Sequence, residues 1–229
     1  MLSACDIDAS RHAGNADPSL LCIDGIVAVR RSKVRTPDRL IHVEQRLDVK
    51  AAVTVDEKLA VRAKIEQVDQ TKEGERAVVS LEFLRTDGTT VAIARTTSLT
   101  ADPNWLRDVP AHKGDPRAGF KLVSRKLLNA GKVQAYSEET GNRLHFDPAF
   151  AVRYGLRAPV ANPLMTLTWA YEALSAEAAP MPVSLHAPFH SPLFWDDGVD
   201  ILTLGRGGKI ATVRCVSSSG ALVSEIGVA

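Results

Sequence analysis

Two kinds of apolar pattern divide the chain. From Leu20 to about Thr100 the spacing is strand-like. Leu20 to Ile23 and Ile26 to Val29 read as short β-rich runs broken by Asp24-Gly25; Leu40 to Leu47, Lys58 to Val68, Arg76 to Arg85 and Thr89 to Leu99 follow. Asp87-Gly88 marks a hairpin between the last two, and the stretch from Gln67 to Glu75 marks another turn. In the second half Phe120 to Tyr136 predicts a strand or two. Asp147-Pro148 and Asn162-Pro163 each set a capping side chain before a proline, which suits the first helical position. They predict a short helix ending near Gly155 and a longer one. In the longer one Leu164, Leu167, Thr168, Tyr171 and Leu174 recur three and four apart, so one face is buried. Strands return at Val183 to Phe189, Ile201 to Leu204, Lys209 to Val216 and Ala221 to Val228, with a turn at Ser217 to Gly220.

This order predicts an α+β fold, an antiparallel sheet wrapped around one long central helix. The first half has a similar tally of strands without a comparable helix and reads as a degenerate repeat of the second. The expected organisation is a flexible leader at 1–18, a first repeat at 19–100, a proline-bearing linker at 101–118 and a second repeat at 119–229 that carries the site.

Composition narrows the function classes. Among 229 residues, 45% hydrophobic and 24% charged, 28 Lys and Arg offset 27 Asp and Glu, leaving a net charge of +1. Such a balance gives no general pull toward nucleic acid or anionic membrane. The basic run Arg30 to Arg35 reads as a solvated loop. Cys5, Cys22 and Cys215 lack metal-ligand spacing and read as reduced cysteines of a cytoplasmic protein. Neither a signal peptide nor an apolar run of membrane-spanning length is visible.

The informative stretch runs from Tyr136 to Ala151. Asn142, Leu144, His145, Asp147, Phe150 and Ala151 fall on the asparagine, aliphatic, histidine and trailing positions of the hydratase-2 motif, so the segment resembles the MaoC-like (R)-specific enoyl-thioester hydratases and dehydratases. Thr140 to Asp147 is closer to the family's N-G-H-R version of that motif. Ala158 to Thr166 resembles the family's start of the central helix, and Phe189 to Asp197 its late strand and turn. His42-Val43-Glu44-Gln45 resembles the H-x-E-Q stretch in the first repeat of double hot-dog hydratases. What the resemblance implies is a double hot-dog fold acting on an enoyl or 3-hydroxyacyl thioester, in fatty acid or polyketide metabolism. It implies no cofactor or metal. The partner would be acyl-CoA or an acyl carrier protein, whose phosphopantetheine carries the substrate, and the assembly a homodimer or a pair with a second hot-dog subunit.

On that reading His145 is the acid and base and Asn142 the group orienting water or thioester, while Glu139, next to Thr140, is a candidate assisting carboxylate outside the family pattern. Thr140, Asn162, Leu164, Trp169 and His190 are its expected substrate-binding residues. Two positions depart from the family. Thr140 stands where an aspartate belongs, and Pro163, lacking an N–H, stands where a glycine amide would hold the thioester oxygen. Asp147 reads as a helix cap, Trp169 and Tyr171 as core or pocket wall, and His42 as structural. His186 and His190, four apart on one strand, are expected to share a face. A catalytically degenerate subunit, or a hot-dog enzyme turned to cyclisation or thioester hydrolysis, are the competing expectations, because fold alone does not choose a reaction.

Overall fold

A computed structural model of the chain describes residues 1–12, 14–31, 40–101, 112–175 and 182–229. Of the basic run expected as a solvated loop, Arg30 and Arg31 instead end a helix, while residues 32–35 and most of the expected linker at 101–118 lie outside the described residues. Among those described, nine strands make one antiparallel sheet: β1 (Leu40–Val49), β2 (Ala60–Thr71), β3 (Gly74–Leu84), β4 (Thr90–Ala101), β5 (Lys121–Leu127), β6 (Val183–Pro188), β7 (Gly198–Arg206), β8 (Lys209–Ser217) and β9 (Leu222–Val228). Their order is β2-β3-β4-β1-β6-β9-β8-β7-β5. The two halves are therefore sewn together where β1 pairs β6, with Glu44 opposite Pro188 and Val49 opposite Val183. The α+β class stands as expected.

Four α-helices accompany the sheet among the described residues: α1 (Leu21–Arg31), α2 (Ala130–Ser137), α3 (Pro148–Arg153) and α4 (Leu164–Ser175). One apolar core takes Cys22 and Ile23 from α1, Leu167 and Trp169 from α4, and Leu81, Leu185 and Val213 from the sheet. On α4 every residue from Leu164 to Tyr171 is buried, which is the environment of a central helix rather than of a one-sided one.

Three expectations change. The runs at 20–29 are not strands but 3-10 turn and helix. Asp17 accepts the Ser19 N–H, Pro18 follows it, and α1 then presses Gly25 against β3. A Cβ at Gly25 would lie 2.4 Å from Leu81 Cδ1, so this close approach asks for glycine. The first half thus keeps a helix, and the described residues before α1 form no strand. Second, residues 1–18, expected as a loose leader, form 3-10 turns that bury Ala4, Cys5 and Ile7. They cover the outer side of α4, where Trp169 Nε1 donates to Cys5 O at 3.0 Å and Ser19 Oγ to Thr168 Oγ1 at 2.9 Å. Third, the strand-like stretch after Phe120 stops at Leu127, because the Asn129 side chain accepts the Lys132 N–H at 2.9 Å and starts α2.

Candidate active site

Most polar side chains of the Tyr136–Ala151 stretch are spent on shaping the loop. After α2 a 3-10 turn ends at Gly141, which reverses the chain with φ of 65°. Thr140 Oγ1 donates to Ser137 O at 2.6 Å and so faces its own backbone. Asn142 Oδ1 accepts the Leu144 N–H at 3.2 Å, while its Nδ2 reaches Leu40 O at 3.5 Å and ties the loop to the start of β1. Asp147 is the helix cap expected of it: it accepts the Phe150 N–H at 3.0 Å and pairs with Arg143. What this folding projects inward is His145, buried among apolar neighbours.

His145 is held through its Nδ1, which lies 2.9 Å from Val160 O. A carbonyl only accepts, so Nδ1 carries the hydrogen and Nε2 keeps a bare lone pair. Burial drives the imidazole pKa down to about 4, against the opposing pull of that carbonyl. At neutral pH the ring is an uncharged hydrogen-bond acceptor. Its anchor is itself fixed, since Val160 N donates to Leu144 O at 3.0 Å and Ala161 N to Leu193 O at 2.7 Å.

The start of α4 supplies the rest of the polar wall. Pro163 has no N–H, and the first free amide, Leu164 N, is taken by Asn162 Oδ1 at 3.0 Å. That bond fixes the Asn162 amide plane, and among the described residues no group takes the two Nδ2 hydrogens.

These residues face a cavity of about 170 Å³. Roughly 150 Å³ suffices to take up benzene, so the space suits the acyl end of a ligand rather than a whole cofactor. Both halves line it: Ile26, His42 and Thr96 from the first, Asn142, His145 and Asn162 from the second. Among its described wall residues there is no Asp, Glu, Lys or Arg, and the wall is mainly apolar. No group of three His, Cys, Asp or Glu among the described residues is placed to hold a metal ion.

The structure therefore brings His145, Asn142, Thr140, Asn162 and His190 together around one space. It leaves out three expected members. Glu139 is exposed, with its charge felt by Asp24 rather than by His145, because the turn at 138–140 sends it outward. Leu164 and Trp169 lie in the core, on the faces of α4 covered by the sheet and by residues 1–18. His186 and His190 do not share a face. His186 Nε2 meets Glu44 at 3.2 Å, whereas His190, beyond the end of β6, lines the cavity at its exposed rim. Sequence reasoning missed His42 as a wall residue, although the H-x-E-Q stretch was the signal that could have found it.

No family model matches the sequence, and no curated protein does. Solved structures do. The fold is similar to HtdX of Mycobacterium tuberculosis, with a TM-score of 0.78 and 14% identity over 99% of this chain and 91% of that one. It is similar to a MaoC-like dehydratase of Phytophthora capsici, with a TM-score of 0.67 and 20% identity over 86% and 74%. A second M. tuberculosis protein, described as having a double hot-dog fold, matches with a TM-score of 0.59 and 16% identity over 93% and 81%. At these identities the likeness establishes the fold: the chain is a double hot dog.

Proposed function

We propose that this double hot dog is a hydratase or dehydratase of acyl thioesters, adding water reversibly across the C2–C3 double bond of an enoyl group. The carrier is the phosphopantetheine of coenzyme A or of an acyl carrier protein. The observation that carries the reading is His145, a neutral imidazole anchored at Nδ1 with Nε2 free, in a mainly apolar cavity that Asn162 and Pro163, just before the central helix, also line. As the water oxygen bonds to C3, a water proton passes to Nε2, and the imidazolium then delivers a proton to C2. Charge that collects on the thioester oxygen in between needs a donor. The Asn162 amide, with both Nδ2 hydrogens unused, serves in place of the backbone N–H that Pro163 lacks, and the N-terminal end of α4 adds positive potential. Buried, unpaired Cys5, Cys22 and Cys215 suit a reducing compartment such as the cytoplasm.

His145→Ala tests this directly. With a trans-2-enoyl-CoA as substrate, turnover is expected to fall by at least about 10²-fold while the fold persists. Undiminished turnover in that variant overturns the assignment. A second reading, a non-catalytic partner of another hot-dog chain, is favoured by the Thr140 hydroxyl being committed to Ser137 O. Co-purification with such a chain, and no turnover alone, supports it; turnover by the isolated protein excludes it.

A further inference from the structure

His42 is built into the cavity by an irregularity of β1. Ordinary alternation would set His42 and Gln45 on opposite faces. The register of β1 on β4 shifts between His42 and Glu44, so His42 stands opposite Ser98 and Gln45 opposite Thr96, two positions on the same side of β4. Gln45 is fully buried and uses its side chain for structure: Nε2 donates to Arg46 O at 2.7 Å and to Arg95 O at 3.1 Å, while Oε1 accepts from Thr96 Oγ1 at 2.8 Å. Glu44 is turned the other way, toward Arg46 and His186.

His42 has no such employment for its Nε2, which is out of reach of solvent and has no hydrogen-bond partner. The Glu44 backbone and the Gln45 side chain act on the ring as acceptors do, in the sense that favours its protonated form. With Nε2 unpartnered, the donor is Nδ1, and Nε2 carries a bare lone pair as in His145. The two rings line one cavity and feel each other's charge. Two residues before His42, Leu40 O receives the Asn142 amide, which fixes the first half's histidine against the second half's loop. Leaving a buried nitrogen unpaired costs free energy, so a partner arriving with the ligand is the natural account of it.

We infer that His42 is a second catalytic histidine, and that its Nε2 and that of His145 accept the two hydrogens of one water and aim its oxygen at C3. This rests on the hydratase reading above. It supplies the part for which Thr140 leaves no carboxylate. Phe189 packs edge-on against His42 at 5.0 Å between ring centroids and Nε2 is closed to solvent, so in this proposal the water comes to it with the acyl group. The water O–H bond to His145 breaks, the C3–O bond forms, and the proton left on His145 goes to C2. His42 keeps its hydrogen bond to the remaining water hydrogen throughout and gains no proton.

The test uses the full chain with crotonyl-CoA. His42→Phe keeps the ring and removes the acceptor, and kcat is expected to fall by about 10²-fold with KM little changed. His42→Gln, whose amide oxygen can reach the Nε2 position, is expected to recover most of that loss. Both variants should melt near the wild-type temperature, because removing the unpaired buried nitrogen offsets the loss of the Nδ1 donor. Wild-type kcat in His42→Phe, beside a dead His145→Ala, overturns the inference and leaves the hydratase reading intact. Equal loss in the Phe and Gln variants together with a lowered melting temperature shows a structural role and also overturns it. Wild-type protein that turns over no enoyl thioester overturns both.

Discussion

His145 and His42 are lowered to about 4 by the same cause, removal of an imidazolium from water. For the reaction the sign is simple: the base works when unprotonated, so activity persists above that value and fails below it. We expect kcat/KM to stay level from pH 8 down to about pH 5, with an acid limb near pH 4 set by the buried His145 imidazole. A limb centred near the ordinary histidine value, measured in the same profile, would contradict this. Stability follows the opposite bookkeeping partner, the unfolded chain. Its histidines titrate near 6.5, so between roughly 6.5 and 4 the unfolded state binds protons that the folded state does not. Stability from these two groups is therefore complete above that window and drains away as pH falls through it. Urea unfolding at stepped pH should give a shallower slope in His145→Phe than in wild type.

At the scale of elements, α4 depends on Asn162 twice, as the cap of its first free amide and as the amide offered to the cavity. Asn162→Ala should lose about 1 kcal/mol of stability with the cap and about 10²–10³-fold in turnover with the donor. Asn162→Ser keeps a capping oxygen but not the amide, so it should melt like wild type and still turn over slowly. A melting and kinetic comparison of the two separates the roles. The grammar that announced this helix, a capping side chain followed by proline, was legible at Asp147-Pro148 and Asn162-Pro163. It was also present at Asp17-Pro18, where it went unread because Ile23, Ile26, Val27 and Val29 carry a β-branched signal and Gly25 resembled a turn. Only the neighbouring strand reveals why Gly25 sits inside a helix. The strands of the sheet were legible because alternation is local; the register shift that turns His42 inward was not, because a bulge is a relation between two strands.

For the whole molecule, residues 1–20 are part of the core's closure rather than an appendage. Deleting them should expose the indole of Trp169 and shift tryptophan emission to the red. The melting temperature should fall by on the order of 10 °C, as loss of a few buried apolar side chains implies. An unchanged melt in the shortened chain would show that the segment does not contribute. The cavity, too, belongs to neither half alone, since β1 brings His42 and the loop after α2 brings His145. When two identical subunits face each other, a substitution in the gene appears on both sides of the twofold axis, and any gain at one site is tied to its mirror image. Sewing both walls into one polypeptide across β1 and β6 removes that tie. Position 42 and position 145 can then vary as separate letters, so each wall of the cavity can be tuned without a matching change on the other.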